Sequence, residues 1–157
     1  MSTYSPSELA ELVRNLSYHE AGASFCERVG PTGTRLTAEH ARELLSVARG
    51  LSKWYKIMTV LMIGQDFFQN EFVDFAIDML TLPPSEAPSA EDGARMVVLR
   101  EDPEAIEDPW AVGTWACNLL VTRRTISAEQ YRRIAQLPDG TFGKEGLLDV
   151  LKSRVVL

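Results

Sequence analysis

Residues 37–64 read TAEHARELLSVARGLSKWYKIMTVLMIG. Ala41, Leu44, Ala48, Leu51, Tyr55, Met58 and Met62 follow one another at spacings of three or four, which places them on one stripe of an α-helix. A second row, Leu45, Trp54, Ile57 and Leu61, widens the stripe, as in a central helix that touches more than one neighbour. Thr37 stands where an N-cap belongs and Gly64 where a helix stops. The segment reads as one long central helix, and the expected class is all-α.

The pattern continues outward on both sides. Leu9, Leu12, Leu16, Ala23 and Cys26 predict a helix from Ser7 to Arg28, capped by Ser7, with Gly22 a weak point worth about 1 kcal/mol relative to alanine. Gly30-Pro31-Thr32-Gly33 ends it as a loop. Downstream, Asp66 and Gln69 are placed as a capping box. Phe68, Phe72, Phe75, Met79 and Leu82 supply the apolar stripe of that third helix, and Glu71, Asp74 and Asp78 an acidic face. Pro83-Pro84 terminates it. Residues 83–93 are the clearest loop. A short helix is expected over 90–100, with a strand at Met96–Leu99 as the alternative, and one more turn over 103–107. Asp108-Pro109 then opens a helix over 109–123, with Trp110, Gly113, Ala116, Cys117, Leu120 and Val121 inward. Ser127 and Gln130 form a capping box for 128–137, and a last helix covers 144–155. This makes a single compact bundle of six or seven helices. Two helical halves, 5–82 and 109–157, are joined by a Pro-rich acidic loop region, 83–108.

Charge is strongly segregated. Between Asp66 and Asp108 there are twelve acidic side chains and two basic ones, a formal −10, while residues 1–65 carry +1 and residues 109–157 carry +3. A surface with one strongly negative region favours basic partners and disfavours phosphate backbones and anionic membranes. The longest apolar run, Ile57–Ile63, is seven residues, short of the roughly 18 needed to span a bilayer. The amino terminus lacks the pattern of a secretory signal. Two cysteines, Cys26 and Cys117, do not suggest a disulfide framework. A cytoplasmic protein with reduced thiols is expected.

Few side chains offer chemistry. His19 sits in Tyr18-His19-Glu20, and His40 is expected to be a solvated first-turn residue. Glu-x-x-His, His-Glu-x-x-His and Cys-x-x-Cys are absent, so no metal site is expected. Phosphate-binding glycine loops are absent too, and no cofactor is expected. Neither cysteine has the neighbouring base or helix N-terminus that activates a thiolate. Trp54, Tyr55, Phe68 and Phe72 could line an apolar pocket or form ordinary core. Arg123, Arg124, Arg132 and Arg133 flank a region, Ser127 to Arg154, loosely laid out as helix, turn, helix. They serve either DNA binding or, more simply, neutralisation of the acidic middle.

Arg42-Glu43-Leu44-Leu45 on a long helix, Ile126-Ser127-Ala128-Glu129-Gln130-Tyr131 and Phe142-Gly143-Lys144-Glu145-Gly146-Leu147-Leu148 together make the chain similar to the helical carboxymuconolactone decarboxylase-like proteins. The redox Cys-x-x-Cys and its histidine are missing here. The resemblance implies a small helical enzyme acting on a small apolar substrate, with Tyr18, His19 and Glu20 beside Trp54. The residues themselves favour a different reading: a non-catalytic protein-interaction module, such as an adaptor, inhibitor or assembly factor. Its acidic surface would be built from Glu71, Asp74, Asp78, Glu104, Glu107 and Asp108 and would meet a protein with a basic surface. Self-association fits the same surface chemistry. A DNA-binding regulator acting through the C-terminal helices is the third alternative.

Overall fold

The computed structural model describes residues 4–30, 35–68, 70–80 and 109–156, and of residues 109 and 110 the backbone alone. The expected loop region 83–108, its short helices at 90–100 and 103–107, and Trp110 as an inward residue lie outside that description. The class is all-α. Eight α-helices appear among the described residues, together with a single two-stranded pairing. The count exceeds the expected six or seven because two segments that read as continuous helices are each broken.

The first break is in residues 7–28. Helix α1 spans Pro6–Arg14 and is capped by Ser5, whose Oγ accepts from the Glu8 N–H at 3.2 Å; Pro6 takes the first helical position. The cap thus lies two residues before the expected Ser7, because proline at N1 is already set at helical φ and has no donor to lose. A 3₁₀ turn follows at Tyr18–Glu20, then α2 at Ala23–Val29. Gly22 sits between them with φ +84° and ψ −145°, a region that side-chain-bearing residues avoid. Its N–H donates to the buried Thr59 Oγ1 at 2.9 Å instead of to a helical carbonyl.

The second break divides the central segment. Helix α3 spans Ala38–Ala48 and α4 spans Trp54–Ile63. Gly50 and Leu51 donate to Val47 and Ala48 in tight turns, and the chain re-enters helix from an extended Lys53. The two rows of apolar residues in 37–64 therefore belong largely to two rods. Helix α4 is the central one: eight of its ten residues are buried, and it packs on α2, α3 and α6.

After Ile63 the helix widens into a π turn, Gly64–Phe68, then tightens into a 3₁₀ turn, Asn70–Phe72, before α5 at Val73–Met79. Asp66 lies inside the π turn and not at a helix start, and Gln69, its expected capping partner, is outside the described residues. Helix α6 spans Pro109–Val121 and packs on both α4 and α5. Val112, Gly113, Ala116, Leu119 and Leu120 are its buried residues among those whose side chains are described, whereas Val121, expected inward, is 36% exposed. Helix α7, Ala128–Ala135, has the expected reciprocal cap between Ser127 and Gln130. Helix α8, Lys144–Leu151, is shorter than expected because a 3₁₀ turn, Lys152–Arg154, ends it.

Ile126–Ser127 (β1) pairs in parallel with Val155–Val156 (β2), in register Ile126↔Val155 and Ser127↔Val156. Arg154 adds to this junction by donating to the carbonyls of Val121 and Arg123 at 2.7 and 2.9 Å. One cluster of buried side chains draws on all eight helices. No helix among the described residues is long and apolar enough to cross a membrane.

Candidate functional site

The acidic face of the third predicted helix divides. Glu71 is exposed on the 3₁₀ turn. Asp74 and Asp78, one turn apart on α5, share a single guanidinium. Arg133 of α7 reaches Asp74 at 2.8 Å and Asp78 at 2.5 Å, and Arg49 at the end of α3 reaches Asp78 at 3.1 Å. Gln130 also donates to Asp74 at 3.4 Å. All these groups are at least one-third exposed, so each pair contributes about 1 kcal/mol or less. Together they fasten α7 and α3 to α5. Of the arginines expected to neutralise the acidic middle, within the chain or across a subunit contact, Arg133 does so within the chain. Glu104, Glu107 and Asp108 lie outside the described residues.

Tyr18, His19 and Glu20 occupy one 3₁₀ turn, but they do not converge on a common point. Tyr18 is half-buried and meets Trp54 and Tyr55 with ring centroids 5.9 and 5.8 Å apart. His19 packs edge-on against Tyr18 at 5.6 Å and is exposed. Glu20 is exposed and accepts from Ser17 Oγ at 2.8 Å and from Arg28 at 3.1 Å; the Ser17 bond first and the Arg28 bond second hold its carboxyl below the usual range. Trp54, Tyr55 and Phe72 are buried in the core, and the half-buried Phe68 stacks on Phe72 at 5.4 Å. The candidate pocket residues thus act as packing.

Both thiols are held protonated. Burial, with a smaller contribution from the Asp66 carboxylate, pushes Cys26 up to about 12; burial pushes Cys117 up to about 11. At pH 8 the thiolate fraction of Cys26 is about one in 10,000, against about one in four for an ordinary cysteine. Alkylation of the folded protein by iodoacetamide at pH 8 is therefore expected to be at least a hundredfold slower than in urea, as followed by intact mass. A fast-reacting thiol in the folded state would contradict this environment.

His40 is not solvated. It is 5% exposed and completes a capping box with Thr37. The Thr37 N–H donates to Nδ1 at 3.0 Å, which assigns the ring proton to Nε2, and Nε2 donates to the Tyr4 carbonyl at 2.8 Å. Imidazole here does the work usually given to Glu or Gln at that position. Thr-x-x-His at a helix start is the sequence signal.

The C-terminal cations are largely engaged in holding α7 and α8. Besides Arg133 and Arg154, Lys144 donates to the Leu137 carbonyl at 2.7 Å and to Asp139 at 3.3 Å, and Lys152 pairs with Asp149 at 3.0 Å.

Sequence reasoning gave no hint of a surface cleft of about 190 Å³ where α2, the end of α4 and the π turn meet. Cys26 and Met62 form its floor, Phe67 and Gly30 a wall, and Glu27 and Asp66 its rim. No group of three or more His, Cys, Asp or Glu able to hold a metal occurs among the described residues. Comparison with known protein families, with curated proteins and with solved structures finds no match for the chain.

Proposed function

We propose that the chain is a non-catalytic helical module that binds a basic protein through its acidic middle. The observation that carries this reading is the imbalance of charge along the chain. Arg133 and Arg49 serve Asp74 and Asp78, while residues 81–108 alone add eight acidic side chains against two arginines. The contact surface is accordingly assigned to Glu71, Glu104, Glu107 and Asp108, and Asp74 and Asp78 become fastenings of the scaffold. The engaged state of Glu20 and the protonated thiols also favour binding over catalysis.

Segregated charge of this kind accelerates encounter and makes it sensitive to salt. A pull-down from the native host, run at low and at high salt, identifies what is retained. The variant Glu104→Lys/Glu107→Lys/Asp108→Lys is expected to weaken the retained partner about tenfold or more at low salt, and His19→Ala to leave it unchanged. A partner held equally well after charge reversal would sink the reading.

A further inference from the structure

The cleft between α2 and the π turn combines features that point to one kind of occupant. Its floor is soft and apolar: Met62 is 8% exposed and Cys26 is 6% exposed. The Cys26 thiol has no hydrogen-bond partner on another residue among the described residues. Its wall is an aromatic ring lying on a glycine, since a Cβ built at Gly30 would come within 2.0 Å of Phe67 Cζ. Its rim carries two exposed carboxylates, Glu27 and Asp66, and neither has an ion-pair partner among the described residues. The negative potential of the rim converges on the floor: both Asp66 and Glu27 add to burial in raising the Cys26 thiol. Partial burial raises the Asp66 carboxyl as well, as expected where a carboxylate has no cation beside it.

We propose that this cleft receives an arginine side chain of a basic protein partner, its alkyl stem on Met62 and its guanidinium against Phe67, within reach of Glu27 and Asp66. This rests on the reading that the chain binds a basic protein, and it locates an anchor for that partner outside the acidic middle. A planar guanidinium stacks on an aromatic face while its N–H groups stay in plane for carboxylates, which a compact ammonium does not do. The thiol sulfur, a weak acceptor, faces the same donors. The sequence and its folding supply the geometry. The tip of the Phe67 ring can reach over position 30 because that residue lacks a side chain, and the π turn carries Asp66 and Phe67 side by side at the cleft.

The test uses the whole chain and the tripeptide acetyl-Gly-Arg-Gly-amide, with the neutral citrulline isostere as control. The reporter is the ¹³C-labelled methyl group of Met62, one of five methionines, assigned through Met62→Leu. The arginine peptide is expected to shift this methyl with millimolar affinity, and the citrulline peptide is not. Glu27→Gln or Asp66→Asn alone should weaken binding about threefold, and the two together about tenfold. Gly30→Ala should abolish binding while the thermal unfolding transition persists, because only the Phe67 ring has to swing away. An unmoved Met62 methyl at tens of millimolar arginine peptide, an equal response to citrulline, or undiminished binding by Glu27→Gln/Asp66→Asn would overturn the proposal. Partner retention lost on reversal of Glu104, Glu107 and Asp108, with no response of Met62 to the peptide, removes the cleft and leaves the functional reading standing. The converse pattern removes the functional reading and keeps the cleft.

Discussion

Phe72→Ala is expected to destabilise the protein by about 3–5 kcal/mol, the usual cost of emptying a fully packed aromatic site. The ring is completely buried, stacked on Phe68 and edge-on to Phe75 at 6.5 Å. It also lies directly on the backbone of Gly64. A Cβ at that position would approach Phe72 Cγ at 2.6 Å and Cβ at 2.9 Å. These atoms belong to the stem of the side chain, so the ring cannot swing aside as Phe67 can. Gly64→Ala should therefore cost about 1–3 kcal/mol by overpacking, against a gain of about 1 kcal/mol that alanine would bring to an unhindered helix. The two replacements are coupled. Once the Phe72 ring is gone, an alanine at 64 meets open space, and the double variant should be more stable than the sum of the single losses implies. Urea unfolding of the four proteins measures this coupling. A stabilising Gly64→Ala, or strict additivity, would show that the ring does not rest where the structure places it.

Thr59→Val should cost about 1–3 kcal/mol despite nearly equal volume. Thr59 is fully buried. Its hydroxyl donates to the Tyr55 carbonyl at 2.7 Å and accepts from the Gly22 N–H at 2.9 Å. Valine leaves the Gly22 donor buried with nothing to bond, and that orphan is the source of the loss. Thr59→Ser keeps the hydroxyl and gives up one methyl, about 1 kcal/mol. Serine should therefore be the milder replacement, the reverse of the order expected at a purely apolar site. Amide exchange at Gly22 reports the same bond directly, and protection there is expected to collapse in the valine variant alone. If valine were as stable as wild type, the hydroxyl would have no structural role.

The bond between Gly22 and Thr59 also shows why the helical class was legible and the helix boundaries were not. Apolar spacing of three and four survives a break when the two pieces keep burying the same side of the chain. Leu9, Val13 and Leu16 before Gly22, and Phe25, Cys26 and Val29 after it, do so here. The glycine looks like a small propensity cost, whereas its role is to adopt φ +84° and direct its N–H to a threonine 37 residues away. Gly50 marks the second break differently, its N–H closing a local turn on the Val47 carbonyl. The caps were legible when both partners are local: Thr37 and Ser127 behave as their spacing requires. His40 misled because its second partner, the Tyr4 carbonyl, is distant in sequence. Asp74 and Asp78 show a related limit. Their spacing puts them on one face, but the guanidinium that claims them lies 55 or more residues away. The cleft was illegible because its seven lining residues come from three elements, and its wall depends on a ring reaching over a glycine.

The pairing of Ile126 with Val155 makes the C-terminal part of the chain a closed ring. Residues 127–154, with α7 and α8 between them, are buckled at both ends by two short rungs and by the Arg154 contacts with the Val121 and Arg123 carbonyls. A loop of that length loses several kcal/mol of freedom when its ends are joined, and most of that cost falls on the first closure. Helices α7 and α8 are therefore expected to open and close as one unit. Loss of the Val155–Ile126 rung is expected to lower amide-exchange protection in both helices together.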